Sequence, residues 1–399
     1  MSRSFSIPTV LRMVPNRLLK EFFERLGHDG LDVAWAELGE REIEPIVEAL
    51  SQCNRSEYDR LEAALHNVYD LACESGINAI LESGVQCGNE DLAAEMPQDV
   101  GPYHQSMWAW LHRSEIVERA LLVHQVENLA WWRKRTDLPR VAPSNSTDAY
   151  RELEKELSEL LLRAQGRGKV CTVEPLHLRG TDYFFAHPDD FVQNVTAHDD
   201  DGRLAPRAYR RTFAIVFAFN AEEGALELFA RVPAKLKPRI EEVFARTMLG
   251  VELEDWNPDS YDLARLKRRS FAPTTDPEDC VRARVRRLRL SFKNSHRRLL
   301  LEADPDGPAS DIYDMIDEVL NEERVPLSSV HVTLATFGFE FLPLEGRKPG
   351  SMSFDVAFPN TCSLRNQRPE RIELALKYLK RWKIDVSRTP VPNLAAAGQ

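Results

Sequence analysis

Apolar positions in the first part of the chain recur with the period of a helix. Leu18, Leu19, Phe22, Phe23 and Leu26 fall three to four residues apart and line one helix face. Runs at 41–51 and 56–75 keep the same period. Between them Asn54-Arg55-Ser56-Glu57 has the form of a capping box, in which an N-cap side chain and a glutamate three residues later satisfy each other's backbone amides. Residues 87–102 read as a polar loop, and helical spacing returns over 103–135 with Trp108, Trp110, Trp131 and Trp132. Those rings, beside Arg133-Lys134-Arg135, could form a stacking platform; burial against neighbouring helices is the favoured reading. A loop of turn formers at 139–147 precedes a helix over 148–164.

After Gly166-Arg167-Gly168 the period falls to two. Strands are expected at 169–178, 182–186, 211–219 and 225–232, with a turn at 220–224 and a helix over 234–249 that stops at Gly250. A second set begins at Val281. Val281, Ala283 and Val285 alternate with arginines, and then the apolar set flips to Leu288, Leu290 and Phe292. A one-residue phase shift of this kind predicts a β-bulge at Arg286-Arg287. A turn at 294–296, strands at 297–303, 329–341 and 352–358, and helices at 309–323 and 369–382 complete the pattern.

Helices first, then hairpins each backed by a helix, define an α+β class: a helical N-terminal domain followed by an antiparallel sheet with packed helices. The expected divisions are an acidic helical domain at 1–165, a hairpin-plus-helix unit at 166–250, a second such unit at 251–389 carrying an arginine-rich hairpin, and a frayed tail at 390–399.

Charge sharpens this layout. The 399 residues carry a net charge of −11, and residues 1–100 alone hold nineteen acids against eight bases. The remainder sums to about zero, yet residues 264–300 hold twelve bases against three acids. No apolar run is long enough for a membrane span, and the opening residues do not resemble a secretory signal. Six scattered cysteines without a Cys-x-x-Cys pair suggest reduced thiols in a cytoplasmic protein, with neither metal nor cofactor expected.

Catalytic patterns are sparse. Gly166-Arg167-Gly168-Lys169 lacks the earlier glycine and the following hydroxyl of a phosphate-cradling loop. Pro188-Asp189-Asp190 imitates half of a carboxylate nuclease, but no glutamate in the chain is followed two residues later by lysine. The acidic stretches His198-Asp199-Asp200-Asp201-Gly202 and Asp304-Pro305-Asp306-Gly307 read as solvated turns. His331-Val332-Thr333-Leu334 has the His-x-Thr-apolar form that two-histidine phosphoesterases use, with His331 for acid–base work and Thr333 for phosphate. A matching second copy is found only in His104-Gln105-Ser106-Met107, within the helical part.

The basic hairpin carries the leading expectation. Arg282, Arg284, Arg286, Arg287, Arg289, Lys293, Arg297 and Arg298 occur with no acid among them, and Arg265, Lys267, Arg268 and Arg269 could widen the patch. Alternate strand residues lie ~6.5–7 Å apart, close to the step between phosphates, and a guanidinium can meet phosphate with two hydrogen bonds. Two other readings compete: pairing with the acidic N-terminal part or another subunit, and an edge strand whose charges deter aggregation. The function expected is a non-catalytic binding or assembly subunit that contacts a nucleic-acid backbone through this hairpin. It would work with a protein partner or further copies of itself, as in a prokaryotic defence system. The alternative is a two-histidine phosphodiester hydrolase using His331 and Thr333.

Overall fold

The computed structural model describes residues 4–27, 32–198, 202–253, 259–293, 295, 297–303, 311–321, 323–345, 347 and 349–386. The expected turns at 199–201 and 304–307 and the tail from 390 lie outside the described residues. By its contacts the chain divides into two units, Met1–Glu127 with Ala197–Ala205, and Asn128–Thr196 with Pro206–Gln399.

The first unit is helical: α1 (Ile7–Met13), α2 (Asn16–Arg25), α3 (Glu44–Ser51), α4 (Arg55–Leu71), α5 (Glu74–Gln86), α6 (Leu92–Glu95), α7 (Pro102–His112) and α8 (Ser114–Glu127). The apolar stripe of α2 becomes its core, where Leu18, Leu19, Phe22 and Phe23 pack with Ile46, Leu65, Met107 and Leu111. Asn54 caps α4 as its spacing implies, with Oδ1 accepting from the Glu57 amide at 3.0 Å while Glu57 Oε2 accepts from the Asn54 amide at 3.1 Å. Trp108 and Trp110 pack against this core as bulk.

The second unit holds β1 (Trp132–Arg135), α9 (Thr147–Gln165), β2 (Val173–Leu178), β3 (Thr181–Ala186), β4 (Asp189–His198), β5 (Leu204–Thr212), β6 (Ile215–Asn220), β7 (Ala225–Ala230), α10 (Lys237–Phe244), β8 (Val281–Phe292), β9 (Arg298–Glu302), α11 (Ile312–Val319), β10 (Val330–Phe341), β11 (Gly350–Ala357), β12 (Thr361–Cys362) and α12 (Pro369–Arg381). Ten strands form one antiparallel sheet in the order β2-β3-β6-β7-β1-β12-β11-β10-β8-β9; β4 and β5 pair separately as a ribbon. This is the α+β architecture that the periodicity implies.

One helix reading changes. The helix expected over 103–135 ends at Glu127, and Trp132–Arg135 instead joins the middle of the sheet between β7 and β12. The helix α9 packs Leu153, Leu157 and Leu161 against Phe184, Phe217 and Phe244 of the sheet unit. It starts at Ser146, whose Oγ accepts from the Ala149 amide at 3.2 Å, and it stops at Gly166, whose φ of 72° suits glycine.

The sheet is covered on opposite faces in its two halves. Directly opposed residues of antiparallel strands share a face. Arg133 opposes Leu228, which packs under α10, while Trp132 opposes Cys362, which packs with Tyr378 of α12. The helices α9 and α10 therefore cover one face of β2-β3-β6-β7, and α11 and α12 cover the other face of β11-β10-β8-β9. At β1 the cover changes sides.

Candidate nucleic-acid interface

The face of β8, β10 and β11 turned away from α11 and α12 carries the arginines. Val281, Val285, Leu288 and Leu290 point into the core with Phe337, Phe339 and Tyr378, burial worth ~1.5–3 kcal/mol for each large side chain. Their neighbours Arg282 and Arg284 are exposed, and Arg286, Arg287 and Arg289 are half-buried. The phase change along β8 has the cause that the alternation implies. Thr336 pairs with Arg287 and Phe337 with Val285, so Arg286 is the extra residue of a bulge. A second bulge places Thr333 as the extra residue of β10. β10 pairs with β8 along its length and β9 over Arg287–Ser291, so the edge-guard reading does not apply to that second half of the strand.

Cross-strand rows on this face can be followed from the register. Arg282 opposes Glu340, which opposes Ser351; Arg284 opposes Gly338, which opposes Ser353. Glu302, Arg287, Thr336 and Asp355 form a continuous polar row over four strands. In it Arg287 donates to Glu302, and Thr336 Oγ1 donates to Asp355 Oδ1 at 2.5 Å. Arg298, Ser291 and His331 make the row nearest the start of β10.

These contacts sort the basic residues by duty. Arg287 is ion-paired, although its Nε is buried without a hydrogen-bond partner. Arg289 is held by Thr333: its Nε donates to Thr333 Oγ1 at 3.0 Å, and that hydroxyl in turn donates to the Arg289 carbonyl at 3.2 Å. Arg282 reaches Glu340 only at 4.0 Å, with both side chains largely in solvent. Such a pair holds its members weakly. Lys293, Arg297 and Arg298 are exposed. Gly338 leaves a gap in its row, and a Cβ there would lie 2.5 Å from Arg286 Cδ. The aliphatic stem of Arg286 thus runs across Gly338 on the open face.

No protein-family model and no curated protein matches this chain. The residues themselves carry the functional argument.

Of the catalytic pair in the alternative reading, His331 is exposed on β10 opposite Ser291, and the Thr333 hydroxyl is engaged with Arg289 as described. His104 stands on α7 in the first unit, where burial, followed by the Arg17 charge, lowers its pKa. Its companion Ser106 donates to the Val68 carbonyl at 2.8 Å.

Sequence reasoning missed three features. The run Arg133-Lys134-Arg135 is not a surface patch, since Arg133 meets Glu241 at 2.6 Å, Lys134 meets Asp385 at 3.3 Å and Arg135 meets Asp137 at 2.7 Å. The ribbon β4–β5, mostly exposed on both faces, lacks the one-sided alternation that reveals a strand. A third feature is the pair His177 Nδ1–Asp182 Oδ1, 2.6 Å apart beside a 430 Å³ cleft that Asn145 and Tyr150 also line. Spacing of five residues across a tight hairpin was its one signal. Among the described residues, no group of three or more His, Cys, Asp or Glu side chains is placed to hold a metal, and no helix is long and apolar enough to cross a membrane.

Proposed function

We propose that this chain is a binding subunit that holds a nucleic-acid backbone against the helix-free face of β8, β10 and β11. One observation carries the reading: Arg282 and Arg284, opposite Glu340 and Gly338, and Arg286, whose stem crosses Gly338, all lie on that one face, while the opposite face is closed by α11 and α12. Arg282 and Arg284, alternate residues of β8, offer forked donors at near-phosphate spacing, and Arg286 stands beside them at the bulge. Contacts of this sort fix register and supply affinity but carry no base sequence. The exposed Arg298 would extend the track toward the start of β10.

The same reading makes the chain a part of a cytoplasmic assembly, completed by a protein partner or a second copy, of the type used by prokaryotes against foreign nucleic acid. All six cysteines are free thiols, which suits a reducing compartment. The hydrolase reading gains nothing comparable, because the Thr333 hydroxyl is already committed to Arg289.

The test is fluorescence anisotropy with single- and double-stranded oligonucleotides, using the parent chain and Arg282→Glu/Arg284→Glu/Arg286→Glu. Salt-sensitive binding by the parent that the triple variant abolishes is the expected result. No binding by the parent, or equal binding by both, overturns it.

A further inference from the structure

Just before β8, the 3-10 turn Ala264–Lys267 and the residues that follow it form the wall of a second basic site. A cleft of 530 Å³ is lined by Ala264, Arg265, Lys267, Arg268, Ser270 and Phe271. Leu266, wholly buried in the sheet core, fixes the turn in place. Lys267 is half-buried, and its Nζ donates to the carbonyls of Leu327 at 2.7 Å and Val330 at 2.9 Å. An ammonium has three N–H donors, so one remains for a ligand.

Lys293 is brought close through the backbone, its amide donating to the Ser329 carbonyl one residue before the Val330 carbonyl that Lys267 holds; burial, then the like charges of Lys293 and Arg268, lowers the Lys267 pKa. Arg269 shows the contrast: it turns to Asp314 at 2.5 Å and Asp317 at 2.8 Å on α11. Among the described residues no ion pair joins Arg265, Lys267, Arg268 or Lys293 to a carboxylate. Gathered like charges cost energy in the unliganded state, and a multiply charged anion relieves that cost.

We propose that this cleft is a seat for a phosphomonoester. A monoester carries close to two charges at neutral pH and three acceptor oxygens, which three or four cations and the Ser270 hydroxyl can match; a carboxylate would leave most of the charge unmet. Phe271 supplies an apolar wall for the group that bears the phosphate, and the volume suits a small organic ester better than a bare ion. The seat lies at the start of β10, where the Lys293 amide donates to the Ser329 carbonyl at 2.8 Å, and His331 and Arg298 flank the same end of the arginine face. Two sources can offer this chemistry: the terminal phosphate of a nucleic-acid strand lying along that face, and a free nucleotide. The seat stands independently of the arginine-face reading; only the strand-end source rests on it.

The experiment uses the full chain and reads both sources. Calorimetric titration compares adenosine monophosphate, inorganic phosphate and adenosine, and anisotropy compares 5′-phosphorylated with 5′-hydroxyl oligonucleotides of one sequence. Adenosine monophosphate is expected to bind and adenosine not to, with an affinity about tenfold weaker in Arg268→Ala/Lys293→Ala, whose two side chains are exposed. The Arg282→Glu/Arg284→Glu/Arg286→Glu variant is expected to bind the nucleotide as the parent does, which separates this site from the sheet face. A preference for the phosphorylated oligonucleotide that Arg268→Ala/Lys293→Ala removes supports the strand end as source. Nucleotide binding with equal affinity for both oligonucleotides supports the free ester. Silence of every phosphate ligand together with equal oligonucleotide binding overturns the seat, as does nucleotide binding that Arg268→Ala/Lys293→Ala leaves intact.

Discussion

Arg133 Nε on β1 lies 2.6 Å from Glu241 Oε1 on α10, and the Glu241 side chain is wholly buried. Burial pushes the Glu241 carboxyl up, and the guanidiniums of Arg133 and Arg135 pull against that shift. On the other face of the same strand Lys134 reaches Asp385 at 3.3 Å. The basic run thus ties α10 and the segment after α12 to the central strand of the sheet. Removing one member of a buried pair leaves the other charged and desolvated, at a cost of ~3–5 kcal/mol. Glu241→Ala is expected to lower unfolding stability by about that amount in urea denaturation, and Glu241→Gln by less because it still accepts a hydrogen bond. A loss below ~1 kcal/mol for the alanine variant would deny the pair its structural role.

Salt dependence gives the arginine face a count of its contacts. Each phosphate neutralised contributes roughly −0.7 to −0.9 to the slope of log K against log salt. If Arg282, Arg284 and Arg286 each meet one phosphate, the parent slope is about −2 to −3. Arg284→Ala then shallows it by ~0.7–0.9, with a similar loss of affinity on unrelated sequences. A slope unchanged by that substitution would take Arg284 out of the interface.

What the sequence made legible follows from where each signal was one-sided. The apolar switch from Val285 to Leu288 registers the bulge at Arg286, because one face of β8 is buried and the other is open. The stripe Leu18, Leu19, Phe22, Phe23 is equally direct, since α2 buries that face alone. Trp132–Arg135 was illegible for the opposite reason. The acids that meet Arg133 and Lys134 stand 108 and 251 residues away at Glu241 and Asp385, so local spacing leaves those two as bare cations after a helix. The Lys267 cleft was visible merely as basic residues; that Arg269 pairs with α11 while its neighbours do not depends on the packing of α11.

The start of β8 is clamped to α12 by acids whose pKa values are lowered, which sets a pH dependence. Asp276 is lowered first by its hydrogen bond from Arg381 and then by that from Lys377, at 2.9 Å. For Asp279 burial raises the value, and hydrogen bonds from Lys377 at 2.7 Å and from Tyr378 outweigh it. Because both folded values lie below the unfolded one of ~3.9, their contribution is complete above about pH 4 and is lost as pH falls through the folded values. The melting temperature is therefore expected to drop on acidification below about pH 4, and Lys377→Met to flatten that part of the profile. An identical acid profile in the variant would show that the clamp contributes no linkage.

Gly338 offers a test of the arginine face that alters no charge. It sits on β10 opposite Arg284, and a methyl group there would lie 2.5 Å from Cδ and 3.0 Å from Cγ of Arg286. Overfilling a rigid core costs ~1–3 kcal/mol, but the obstructing atoms belong to a half-exposed, flexible stem. Alanine also restricts the unfolded strand more than glycine does, which offsets part of the strain. Gly338→Ala is accordingly expected to shift stability by no more than ~1 kcal/mol while lifting Arg286 off the sheet. Net charge and long-range attraction stay the same, so a severalfold loss of oligonucleotide affinity would report the placement of Arg286 itself. The phosphomonoester cleft, bounded by other residues, should keep its affinity in the same variant. Unchanged oligonucleotide binding with the expected stability would show that Arg286 makes no contact and that the track runs through Arg282 and Arg284 alone.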